Sequence, residues 1–199
     1  MHKDYSPLVL YPMQSDVSYF RPQQDLPDRV ELGSPAIFVM TDLRVVPAVI
    51  IEATVSIDDA LKKMRHDGVR MLLVTDAQNL LQGLITVSDI HGEKPMRYLK
   101  QVGGLHDDIE VRHIMTPHEH LEVLTMADVL RAAVGDIVAT LQHAGRQHAL
   151  VVVDEPPAAP TEVVRGIFSA TQISRQLAMP IDTLGAARTF AELELALHD

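Results

Sequence analysis

The chain is 199 residues long, 47% hydrophobic and free of cysteine, with a formal net charge of −10. Its apolar fraction supports a packed core of one substantial domain or two small ones, and the missing cysteines exclude disulfides, thiolate nucleophiles and cysteine-based zinc sites. The acidic balance argues against a nucleic-acid partner, because neutralising phosphate needs a basic surface, so an anionic ligand must be held by a local pocket.

Residues 1–35 carry Pro7, Pro12, Pro22 and Pro27 among polar residues, and an irregular N-terminal arm is predicted. The start, MHKDYSPLVLYPMQSD, has no basic stretch followed by an apolar one, so no secretion leader is expected. The longest apolar runs, such as Ala149 to Val153, are strand-sized and far short of a membrane span. A cytoplasmic protein without a membrane partner is the expectation.

Residues 36–92 read as one compact unit. AIFVMTDLRVVPAVIIEAT is apolar and β-branched with Pro47 as a break, which predicts a short element and then a strand. In SIDDALKKMRHDG, Ile57, Leu61 and Met64 recur at helical spacing, Ser56 caps and Gly68 ends the helix. VRMLLVTD and LLQGLITV follow as two strands joined by a hairpin turn at Asp76 to Asn79, and SDIHG opens another helix. Residues 93–110 then read as a linker helix with basic Lys94, Arg97 and Lys100.

The same order returns over residues 111–180. IMTP at Ile114 to Pro117 echoes VMTD at Val39 to Asp42, and Val134, Val138 and Leu141 match Ile57, Leu61 and Met64. HALVVVD answers MLLVTD, and GIFSATQI from Gly166 to Ile173 answers GLITVSDI from Gly83 to Ile90. Two features break the symmetry: an inserted helix predicted over 125–134, and a longer, exposed hairpin loop, EPPAAPTE. Residues 181–199 end the chain in an amphipathic C-terminal helix, with a capping-box pattern at Thr189 and Glu192. A repeat of this size implies an α+β fold of two similar units about a pseudo-twofold axis.

The turn repeated at Thr86 and Ser169 supports two readings. In the first, Thr-x-x-Asp and Ser-x-x-Gln are helix N-caps, and Ser169 with Gln172 fits the capping box better than Thr86 with Asp89. In the second, the helix N-terminus is an anion site. There the hydroxyl bonds a phosphate oxygen, and the carboxylate of Asp89 accepts from both hydroxyls of a ribose. Gln172 carries no charge, so a loss of about 1.5–3 kcal/mol weakens that site roughly ten- to a hundredfold. One competent site and one weak site are then expected.

VMTD and IMTP, the two helices beginning SIDD and VGDI, and the paired GLITVSDI and GIFSATQI turns together resemble a tandem CBS-domain protein, or Bateman module, of the stand-alone type. The resemblance covers roughly Ala36 to Pro180 and implies two β-α-β-β-α CBS repeats enclosing two clefts. It implies a regulatory module, not an enzyme, that senses an adenine nucleotide such as AMP, ADP or ATP and signals by conformational change to an effector protein. It also implies a homodimer. The alternative is a structural interaction module with no nucleotide ligand. Carried over by position, the first site comprises Thr86, Ser88, Asp89, Thr116, Leu121 and His148, with Thr116 and Leu121 near the base and His148 near the phosphates. The second, weaker site comprises Thr41, Ala48, Arg70, Ser169, Thr171 and Gln172. Ala149 stands where the family often has a basic residue.

The ten histidines suggest no metal centre. His118 and His120 lie two apart without a third ligand, and His106 to Asp108 reads as a solvated run. P-loop, GxGxxG, HExxH and GxSxG signatures are absent, so no cofactor and no catalytic residues are predicted.

Overall fold

The computed structural model describes residues 24–154 and 162–183. Residues 1–23 of the expected arm, the tip of the long hairpin and nearly all of the expected C-terminal helix lie outside that range.

Two four-stranded sheets organise the described chain. In the first half, β1 (Met40–Asp42) and β2 (Ile50–Glu52) precede α1 (Ile57–Asp67), followed by β3 (Met71–Thr75), β4 (Leu81–Thr86) and α2 (Val87–His91). The helix α3 (Lys94–Val102) leads to the second half. There α4 (Val111–Ile114), β5 (Thr116–Pro117), β6 (Val123–Thr125) and α5 (Met126–Val129) precede α6 (Val134–His143), β7 (His148–Asp154), β8 (Glu162–Ser169) and α7 (Ala170–Leu177). Each half therefore contains the expected β-α-β-β-α unit, preceded by one extra short strand.

Those extra strands are exchanged. β1 pairs antiparallel with β8, while β5 pairs antiparallel with β4, giving sheet orders β1-β8-β7-β6 and β2-β3-β4-β5. The segments before them cross over as well: the Ala36 amide donates to Ala132 and the Val111 amide to Val55, each just ahead of the other half's long helix. Met40 and Val39 are accordingly buried beside Phe168 and Ile137 in one core, while Val111 and Ile114 are buried beside Ile57 and Leu72 in the other. A third, smaller cluster around Met71, Leu73 and Leu150 joins the two sheets.

Local signals hold where expected. Ser56 accepts from the Asp59 amide to cap α1, and Gly68 closes it at φ +68°, a left-handed conformation open to glycine at little cost. Asn79 takes φ +60° in the β3–β4 hairpin, where Asp76 accepts from the amides of Gln78 and Leu80. The fully buried middle position of each long helix falls one residue before the expected one, at Ala60 and Ile137, leaving Leu61 and Val138 partly buried. Both helices shift alike because their inner faces meet equivalent sheets.

Two expected boundaries need correction. The inserted helix expected over 125–134 is one turn only, Met126–Val129, capped by the Thr125 hydroxyl on the Asp128 amide. The linker helix expected over 93–110 ends at Val102, because Gly103 (φ +80°) and Gly104 (φ +98°) take conformations a helix does not contain, and a 3₁₀ turn at His106–Asp108 follows.

Strand exchange explains the glycine that opens both repeated turns. A Cβ on Gly83 falls against the carbonyl oxygen of Thr116 and 3.0 Å from the Pro117 Cα, both backbone atoms of the incoming β5. For a Cβ on Gly166 the three nearest atoms all belong to the side chain of Met40 on β1, with the sulfur at 2.5 Å. A thioether moves more readily than a strand. Gly83→Ala is therefore expected to cost more stability than Gly166→Ala, against an overpacking scale of about 1–3 kcal/mol. Urea unfolding of both variants at unchanged m-value checks the order.

Candidate functional site: two clefts between the repeats

Each repeated turn ends a strand and starts a helix at the boundary between the two sheets, so each faces a cleft closed by the other half. The first cleft, about 290 Å³, is lined by Thr86, Ser88, Asp89, Thr116, Leu121 and His148, all six residues assigned to it from sequence. The second, about 400 Å³, is lined by Thr41, Ala48, Arg70, Ser169, Thr171 and Gln172, again all six. Small-molecule sites span roughly 300–1,000 Å³, so the second falls within that range and the first at its lower edge. None of residues 125–134 lines either cleft.

The capping expectation is reversed. Thr86 and Asp89 form the full box: the Asp89 amide donates to the Thr86 hydroxyl at 3.2 Å, and the Thr86 amide donates to Asp89 Oδ2 at 2.8 Å. The Thr86 hydroxyl also donates to Oδ2 at 2.7 Å. The remaining oxygen, Oδ1, pairs with the Lys94 ammonium at 2.6 Å. Ser169 makes no cap hydrogen bond through its side chain. Gln172 is drawn to the exchanged strand instead: its Oε1 accepts from the Thr41 hydroxyl at 3.3 Å and its Nε2 donates to the Val39 carbonyl at 3.5 Å.

The clefts therefore differ in electrostatics. The second has the first turn of the eight-residue α7 with an uncapped hydroxyl, and adds Arg175 to Arg70. Among the described residues neither arginine has an ion-pair partner within 4.0 Å. Its apolar wall includes Val46, Pro47, Leu73 and Ile167. In the first cleft the added cation, Arg146, is paired with Glu122 at 2.9 Å. Sequence reading missed Lys94, Arg146 and Arg175. Arg175 alone had a local signal, since it lies one helical turn beyond Gln172.

His148 lines both clefts, at the first residue of β7 and opposite Ser169 in the ladder. Its Nδ1 is buried without a hydrogen-bond partner. Burial, reinforced by the nearby Arg70 charge and opposed by Asp89, lowers its pKa from 6.5 to about 4. The ring is thus neutral at pH 7.

Elsewhere, Asp58, His106 and Asp107 place ligand atoms within 4.8 Å of one another at the surface. There the His106–Asp58 separation is 3.9 Å. His118, paired with Glu119 at 3.0 Å, borders a largely apolar depression of about 900 Å³ at the hairpin end of the two sheets. Among the described residues no helix is long and apolar enough to cross a membrane.

The family model for the CBS domain matches residues 38–93. No curated protein matches the chain. Similar solved structures include an uncharacterised conserved protein of Pyrococcus horikoshii, 21% identical over 72% of this chain and 92% of that one, with a TM-score of 0.49. A CBS domain protein of Thermoplasma acidophilum is 20% identical over 75% and 78%, with a TM-score of 0.49. The CBS-pair protein CBSX2 of Arabidopsis thaliana is 20% identical over 72% and 93%, with a TM-score of 0.46. A structure of CBSX2 with AMP is 20% identical over 72% and 95%, with a TM-score of 0.47.

The His148 environment predicts a pH response. Because its folded pKa lies below the unfolded value, the unfolded chain binds more protons between about pH 6.5 and 4, so stability falls as pH drops through that window. The slope from this one group approaches about 1.4 kcal/mol per pH unit inside the window. Replacing His148 with Gln is expected to flatten the wild-type stability profile between pH 6.5 and 4, measured by urea unfolding.

Proposed function

We propose that the chain, whose residues 38–93 match the CBS domain family model and whose second half repeats the same strand and helix order, is a regulatory module that binds an adenine nucleotide between its repeats. The observation that carries the reading is the second cleft. There an apolar wall suited to a base stands beside the uncapped Ser169 hydroxyl at the start of α7 and two arginines, Arg70 and Arg175, that have no ion-pair partner among the described residues and are suited to phosphate. The first cleft keeps a carboxylate for a ribose at Asp89, on a turn already engaged by its own cap. On this reading the protein is a cytoplasmic homodimer whose cleft occupancy is sensed by an effector protein, and it carries out no chemistry itself.

Linkage explains how occupancy becomes a signal. A ligand shifts a conformational equilibrium only by its difference in affinity for the two states. Both clefts are walled by β-strands from both halves, so closing on a ligand draws the halves together. β1 and β5, fixed in the opposite sheets, transmit that movement.

One specific observation supports the rival reading, an interaction module without a nucleotide: the Thr86–Asp89 box engages the amides of both Thr86 and Asp89 at the start of α2, and the Val87 amide is taken by the Arg70 carbonyl. A thermal-shift panel of AMP, ADP, ATP and S-adenosylmethionine separates the two. Ligand at a hundred times its dissociation constant stabilises the folded state by about 2.7 kcal/mol, which is several degrees at roughly 2–4 degrees per kcal/mol. The expected result is a shift with at least one adenine nucleotide that Arg70→Ala reduces. No shift with any of the four favours the interaction module.

A further inference from the structure

Lys94 is the first residue of α3, with Pro95 behind it. A cation in the first turn opposes the helix dipole, so its placement has to be explained by what the side chain reaches. The ammonium turns back to the first cleft, where it lies 2.6 Å from Asp89 Oδ1, donates to the Ile114 carbonyl at 3.0 Å and to the Thr116 hydroxyl at 3.3 Å. The ammonium meets three acceptors from three different elements, one as an ion pair and two through hydrogen bonds, which matches the three donors of the group.

Two of those acceptors, Asp89 and Thr116, line the first cleft. Asp89 Oδ2 meanwhile receives the amide and hydroxyl of Thr86. The carboxylate thus already has its charge partner and its hydrogen-bond donors, and a sugar diol approaching it finds the Oδ1 position taken.

We propose that Lys94 is a built-in competitor for the sugar position of the first cleft: its ammonium and a ligand's vicinal diol exclude each other on Asp89, and binding the diol releases the N-terminus of α3. This rests on the nucleotide reading above and adds its regulation. The chemical class selected is a ribonucleoside with an anionic substituent. The diol replaces the lysine on Asp89, while the anion gives the displaced ammonium a new partner and spares it an unpaired position. A neutral nucleoside offers only the first exchange. Release of Lys94 also frees the start of α3, which otherwise packs through buried Pro95 and through Tyr98, stacked on His113 of α4 at 4.4 Å between ring centroids. The segment joining the halves thereby senses the first cleft directly.

The test uses the full chain with Arg70→Ala and Arg175→Ala in place, so that calorimetry with AMP reads the first cleft. Adding Lys94→Met, which keeps the apolar stem, is expected to tighten AMP about tenfold, and Lys94→Ala to do the same. Urea unfolding of both variants verifies that they remain folded. In wild type, saturating AMP is expected to accelerate amide hydrogen exchange over residues 94–102, and in Lys94→Met the same segment exchanges fast with or without AMP. Unchanged or weaker AMP binding in both lysine variants overturns the competitor while leaving the nucleotide reading intact. Absence of AMP binding in wild type and in every variant overturns both.

Discussion

Backbone pairing of each half's opening strand with the other half's sheet, β1 on β8 and β5 on β4, is the contact from which the rest of the molecule follows. Edge strands need partners, and here each sheet is completed only by the opposite repeat. The exchange sets the glycines at positions 83 and 166, where a Cβ would fall against the backbone of β5 in one case and the Met40 side chain of β1 in the other. It places Thr41 and Thr116 in the clefts facing the turns of the opposite half. It also divides the interior, so that each core is built from both halves and neither repeat has a core of its own.

On that symmetric frame the two clefts have diverged by a few side chains. One retains an acid and satisfies it internally, with a cap on one oxygen and a lysine on the other. The other has Gln172 where the first has the acid, directs that amide towards Thr41, and among the described residues leaves Ser169 without a cap bond and Arg70 and Arg175 without an ion pair. Charge thus separates the clefts more than shape does: the first is internally neutralised and the second is electropositive. His148 stands between them as the neutral wall common to both, held uncharged by burial and by Arg70.

Much of this was legible in the sequence because it is local. Helix α1 announces itself through Ser56, the spacing of Ile57 and Met64, and Gly68, and the twelve assigned cleft residues lie together as the two repeated turns imply. What escaped reading depends on partners distant in the chain. Gln172 has the composition of a good capping residue, yet it is taken by Thr41, 131 residues away. Lys94 looks like one solvated base among three in a linker, and only the folded chain brings it back to Asp89, Ile114 and Thr116. The inserted helix is shorter than the run of Met126, Ala127, Leu130, Arg131 and the alanines suggests, because Ala132 and Ala133 are taken up pairing with Ala36 and Pro35 of the other half.

The exchange also has a consequence for how the molecule is made. Met40 pairs with Phe168, 128 positions further along the chain, so the strand that completes the second half's sheet leaves the ribosome long before its partner, by roughly 6–25 s at 5–20 residues per second. During synthesis Val39 and Met40, both wholly buried in the finished protein, have no place to go. The nascent chain keeps these apolar residues exposed until the last described strand, β8, is translated, and that interval is when it most needs a chaperone.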